Sequence, residues 1–196
     1  MFGNIRAFIA LRLPENILSS INKTQEDLKQ YRLPVRWVRP ENIHLTLKFF
    51  GNINESDTEI IGIAMGDCAA CRSPLTLSAK GIGVFPSVAR PRVIWAGLSG
   101  QISLLLSFQD ALEKRLEKSG FKKEERPFKG HLTIGRFKDR VNSERLIEAL
   151  RKHKDFNTDL FNAGEIILFK SDLLPAGPVY TELLKVPLTK KSWRLL

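Results

Sequence analysis

A four-residue pattern occurs twice in this chain: His44-Leu45-Thr46-Leu47 and His131-Leu132-Thr133-Ile134, 87 residues apart. The chain has 196 residues and three histidines, and two of the three stand in these tetrads. In an extended strand, residues i and i+2 share a face. Each tetrad therefore presents a histidine and a threonine on one face and two aliphatic side chains on the other. The aliphatic pair needs a core. The His–Thr pair is left toward something polar. Two such pairs, brought together, make a cleft with two imidazoles and two hydroxyls.

The flanks repeat at the same spacing. Phe8 meets Trp95, Leu11 meets Leu98, and Ser56 meets Ser143. Hydrophobic periodicity and breakers predict strands over 5–13, 35–38, 43–50, 75–84, 92–98, 131–137, 161–170 and 179–186. Helices are expected from Pro14-Glu15 to Tyr31, from a Ser56–Glu59 capping box to Cys71, over 101–119, and from a Ser143 cap to His153. Strand, helix, tetrad strand, helix, strand thus occurs twice. The expectation is an α+β chain of two pseudo-symmetric α/β lobes. Mainly antiparallel sheets face a central groove, with helices outside. Residues 1–196 are read as one bilobal domain, with sequence halves of about 1–86 and 90–188 and a boundary near Phe85 to Pro91.

Composition narrows the partners. The net charge of +10 favours a polyanion, with RNA or DNA leading. No apolar run approaches a membrane span, and residues 1–6 lack a signal-peptide pattern, so a cytoplasmic protein is expected. Cys68 and Cys71 have CxxC spacing near a helix end, with no second pair to complete a zinc site, and read as two reduced thiols. His153 stands in a charged helix end and is expected to be solvated. The tail 190–194 is basic and expected to be loose.

Two imidazoles suit acid–base catalysis, one giving a proton while the other takes one. Threonine hydroxyls can hold anionic phosphate oxygens. In-line displacement at phosphorus needs these parts. No carboxylate cluster at metal-ligand spacing accompanies either tetrad, and no GxxxxGK[ST] loop is present, so neither a metal nor another cofactor is expected. Strand parity is taken to set Arg136, just past the second threonine, on the His–Thr face as a substrate-binding cation. Lys48, past the first, is a weaker candidate. Arg39, Arg90, Arg92, Lys129 and Lys170 are candidates for RNA-backbone contact. Phe85, Phe128 and Tyr180 are candidates for base stacking, or for the core.

These tetrads in a duplicated α/β chain resemble the 2H phosphoesterase superfamily. The closer likeness is to its RNA 2′,3′-cyclic phosphodiesterase branch, the LigT-like or 2′-5′ RNA ligase family. It runs through FIAL at Phe8, HLTLKFFG at His44, GIGVFPSVARPRVIWAG at Gly81, RPFKGHLTIGR at Arg126 and LFKSDLLPAGPVY at Leu168. Gly130 departs from it, since the family often has proline there. The resemblance implies opening of RNA 2′,3′-cyclic phosphate ends, tRNA-derived ends among them, to 2′-phosphomonoesters by a monomer. His44 would be the proton donor, His131 the proton acceptor, and Thr46 and Thr133 would hold the phosphate. Joining RNA ends through 2′-5′ linkages is the same chemistry reversed. Another nucleotide substrate, or an RNA-binding module without catalysis, are the competing readings.

Overall fold

The structure, a computed structural model, describes residues 3–70, 72–175 and 177–189. Cys71 and the basic tail lie outside the described residues, and with them the CxxC pair. In chain order the strands are β1 (Asn4–Arg12), β2 (Val35–Trp37), β3 (His44–Asn54), β4 (Leu75–Phe85) and β5 (Val93–Gly100), then β6 (Leu132–Phe137), β7 (Phe161–Ala163), β8 (Glu165–Leu174) and β9 (Gly177–Pro187). The helices are α1 (Glu15–Lys29), α2 (Asp57–Ala69), α3 (Ile102–Lys118) and α4 (Ser143–Lys152). The class is α+β, as expected. No described helix is long and apolar enough to cross a membrane.

Among the described residues, the two expected sheets are joined into one of nine strands, in the order β7-β4-β5-β6-β3-β1-β8-β9, with β2 on β6. All pairings are antiparallel. The join is a single pair between the tetrads, Leu45 opposite Leu132. The two sides of the sheet do not coincide with the two halves of the sequence. β4 pairs with β5 of the second half, and β8 pairs with β1 of the first. The segment from Phe85 to Pro91 is thus the turn of a hairpin within one side of the sheet. The single strand expected over 161–170 divides at Gly164. Its first part joins β4 on one side, and its second joins β1 on the other.

One face of the sheet and the helices share the main core. Leu45, Leu47, Leu132 and Ile134 of the tetrads lie in it, beside Ile17, Ile21 and Leu28 of α1 and Leu105, Phe108, Leu112 and Leu116 of α3. The apolar stripes of α1 and α3 explain why they pack there. On the opposite face Phe8, Ala10, Ile167 and Phe169 form a second, small cluster with Tyr180. The helix starts differ from expectation. Ser56 makes no side-chain cap, and the Asp57 carboxylate instead accepts from the Asn54 N–H at 3.0 Å. Ser143 is already inside α4, whose cap is the Asn142 side chain, accepting from the Arg145 N–H at 3.0 Å.

Candidate active site

The tetrads run antiparallel about the Leu45–Leu132 pair. Continuing that register by one residue sets His44 beside Thr133 and Thr46 beside His131. The histidines are diagonal to one another, each beside the other tetrad's threonine. All four side chains are half-buried.

Both imidazoles are anchored alike. His44 Nδ1 lies 2.8 Å from the Asn42 carbonyl oxygen, and His131 Nδ1 lies 2.7 Å from that of Lys129. A carbonyl oxygen only accepts, so each Nδ1 carries the proton and donates it. Each neutral ring then keeps Nε2 as a bare acceptor, ready to take up a proton and, once charged, to give one.

Their surroundings differ. His44 stacks on Phe8 at 4.7 Å and meets the edge of Tyr180 at 5.3 Å, with Phe169 at 6.4 Å. Burial pushes its pKa from 6.5 down to about 4; Arg136 and His131 add to the shift, against the Asn42 hydrogen bond. Around His131 the one described ring contact is edge-on with Phe85, at 5.1 Å.

Two bulges decide what else reaches this face. Thr46 pairs with Ala10 and Lys48 with Ile9, so Leu47 is an extra residue in β3. In β6, Thr133 pairs with Trp95 and Gly135 with Ile94, so Ile134 is the extra residue at the equivalent position. Each bulge reverses the alternation beyond it. Lys48, expected on the His–Thr face, therefore turns into the helix side. It is 5% exposed, pairs with Glu113 and donates to the Lys122 carbonyl at 2.6 Å. Arg136 stands three residues past Thr133, where strict alternation would bury it in the core. The bulge, not simple parity, returns it to the His–Thr face. Phe49 arrives in the same way after Thr46.

A cleft of about 510 Å³ opens on this face. Its lining includes His44, Thr46, Thr133 and Arg136, with Arg6, Arg36, Arg39 and Phe49. His131 is not among its lining residues; it stands close enough to His44 to depress that pKa. Among the described residues, no carboxylate lines the cleft. Arg6, Arg36 and Phe49 were not picked out from sequence. Arg36 and Phe49 reach the cleft through a distant pairing and a bulge, neither of which has a local signature.

The other candidates divide. Tyr180 and Arg39 line the cleft, and Phe85 touches His131. Phe128 packs on the core beside Gly130, where an added Cβ would sit 3.1 Å from Leu98. Lys170 pairs with Asp172 at 3.2 Å. Arg90, Arg92 and Lys129 are exposed outside the cleft lining. His153 is not fully solvated: it is half-buried, held to the Ala149 carbonyl at 2.8 Å and edge-on to Tyr31.

The model of the LigT-like phosphoesterases matches this chain twice, over residues 11–95 and 98–180. The chain belongs to that family. The second match starts 87 residues after the first, the same step that separates the tetrads. The RNA 2′,3′-cyclic phosphodiesterase of Methanothermobacter thermautotrophicus is 34% identical over 91% of this chain and 96% of its own length. That of Methanocaldococcus jannaschii is 37% identical over 90% and 96%. A crystal structure from Thermus thermophilus covers 96% of this chain and all of its own at a TM-score of 0.79 and 25% identity. Escherichia coli LigT complexed with 3′-AMP has the same fold, with a TM-score of 0.76, 23% identity, and coverage of 95% and 99%.

Proposed function

We propose that this LigT-like chain hydrolyses RNA 2′,3′-cyclic phosphate ends to 2′-phosphomonoesters, using two histidines and no metal. The carrying observation is the diagonal pair of His–Thr units, each imidazole held at Nδ1 by the carbonyl two residues before it. The names of the relatives support the substrate.

In this reading His131 Nε2 takes a proton from water as the water oxygen attacks phosphorus. The bond from phosphorus to O3′ breaks, and His44 gives its Nε2 proton to O3′. The product carries a 2′-phosphate and a free 3′ hydroxyl. Thr46 and Thr133 donate hydrogen bonds to the non-bridging oxygens, and Arg136 balances the charge that builds on them. With a pKa of about 4, His44 is neutral near pH 7. Its donor role therefore requires the bound phosphate to raise its pKa, which an adjacent anion does. Both His–Thr units come from one chain, which supports a working monomer. An RNA-end substrate makes the cytoplasm the proposed place of action.

The test is hydrolysis of a short RNA ending in a 2′,3′-cyclic phosphate with excess EDTA, for wild type, His44→Ala and His131→Ala. Turnover to a 2′-phosphate by wild type, with a loss of at least about a hundredfold in each variant, is expected. Turnover abolished by EDTA, or retained in either variant, would overturn the mechanism.

A further inference from the structure

Arg36 of β2 stands directly opposite Arg136 of β6. Both are exposed, and both line the cleft. Like charges directly opposed across strands cost stability. Among the described residues that line the cleft there is no carboxylate to offset that cost. Glu182 pairs with Arg12 and Lys185, and Asp172 with Lys170. Two opposed guanidiniums without an acid fit an anion that arrives from outside.

The cleft they line, about 510 Å³, has room for more than one phosphate. Arg136 continues the tetrad strand β6 on the His–Thr face, and its charge bears on His44. Arg36 lies on β2, which carries neither tetrad and pairs only with β6 among the described strands. β5 covers one edge of β6; β3 meets the other edge at Leu132, and β2 takes that edge over from Gly135 to Phe137. His44 is therefore beside position 133 and Arg36 beside position 136. The bulge at Ile134 lies inside that interval, so β5 advances only two residues, from Trp95 to Val93, about 7 Å at about 3.3 Å per residue.

We propose that Arg36 forms a second phosphate subsite, for the phosphodiester one nucleotide upstream of the reacting RNA end. The inference rests on the cyclic-end reading above and deepens it: the cleft recognises a strand rather than a lone nucleotide. The Arg36 guanidinium donates to the non-bridging oxygens of that linkage. Contact with the backbone carries no base preference.

The experiment compares kcat/KM, in EDTA, for adenosine 2′,3′-cyclic phosphate, for an adenylyl dinucleotide ending in a 2′,3′-cyclic phosphate, and for the same dinucleotide with an uncharged methylphosphonate linkage. Wild type is expected to favour the charged dinucleotide over each of the others by about tenfold, the scale of one charge-assisted hydrogen bond. In Arg36→Gln the charged-to-uncharged ratio should fall to within about twofold, and in Arg36→Lys it should be intermediate. The wild-type preference should shrink as salt rises. A wild-type ratio near one, or a ratio that survives in a folded Arg36→Gln protein, would overturn the subsite while leaving the cyclic phosphodiesterase reading intact. No turnover of any of the three by wild type would overturn that reading itself. The wild-type comparison needs no variant, so a poorly folding Arg36→Gln protein leaves the proposal exposed to refutation.

Discussion

The side-chain amide of Gln25, on α1, donates to the main-chain oxygen of Ile134 at 2.8 Å. Ile134 is the bulge residue of β6, and its oxygen also accepts from the Val38 N–H at 3.0 Å. The same amide reaches the Val38 oxygen at 2.8 Å. At the other bulge, Gln109 of α3 donates to the oxygen of Leu47, the bulge residue of β3, at 3.3 Å. Each glutamine comes from the opposite half of the sequence to the bulge it holds. Gln25 is 2% exposed, so its donors have no water to fall back on.

Gln25→Met keeps the shape and removes both donors. It should cost about 1–3 kcal/mol in urea denaturation, the cost of leaving a buried polar group unsatisfied. Loosening the bulge also misplaces Arg136, so kcat/KM should fall about tenfold. In an Arg136→Ala background the same change should have little further effect on kcat/KM. Equal losses in both backgrounds would mean that Gln25 does not act through Arg136.

Lys48 and Arg136 should separate cleanly. Arg136→Ala is expected to lower kcat/KM by about 10²–10³ with stability near wild type. Lys48→Met strands Glu113, which is 6% exposed, and should cost about 3–5 kcal/mol. Its kcat/KM, measured where the protein is fully folded, should stay close to wild type. Glu113→Leu added to Lys48→Met should recover part of the lost stability. Denaturation curves and initial rates on the same preparations decide it.

His44 should titrate far below a free imidazole. Proton NMR of its ring is expected to give a midpoint near 4 in the free protein. Inorganic phosphate in the cleft should move it upward, because an anion favours the charged ring. An unmoved midpoint with phosphate bound would contradict the donor role. Phe8→Leu, which removes the stacked ring, should raise the free midpoint toward 6.5.

The same shift makes stability depend on pH. The folded-state pKa lies below the unfolded value of 6.5, so the unfolded chain takes the proton first as pH falls. This group contributes nothing to the pH dependence above pH 6.5, and it destabilises progressively from there down to about pH 4. The full effect is on the order of 3 kcal/mol, at about 1.4 kcal/mol per pKa unit. His44→Gln should remove that slope. The difference in stability between wild type and variant should therefore drift in favour of the variant across this window. Parallel pH dependences would show that His44 is not desolvated.

Rate against pH should be bell-shaped for kcat/KM, with limits that belong to the coupled histidine pair. A flat profile from about pH 5 to 9, with chemistry rate-limiting, would contradict the two-histidine mechanism.

Much of this molecule was legible in its residues. Alternation within HLTL and HLTI placed His44, Thr46, His131 and Thr133 on one face, and the structure brings the two tetrads side by side. The spacing of Leu104, Leu105, Phe108, Leu112 and Leu116 marked α3 and its stripe; all but Leu104 are buried, and Leu104 turns to solvent. Such patterns are local, because a face is a consequence of backbone period. What the tertiary structure decided is non-local. Phe8, Phe169 and Tyr180 come from three strands to desolvate His44, and no neighbouring residue signals that enclosure. β4 and β8 exchange sides because strand pairing is chosen by edges far apart in the chain. Lys48 leaves the cleft and Arg136 enters it because a bulge exists only when a partner strand skips one residue. Arg36 meets Arg136 across 100 residues of sequence for the same reason: register belongs to a pair of strands, and neither strand carries it alone.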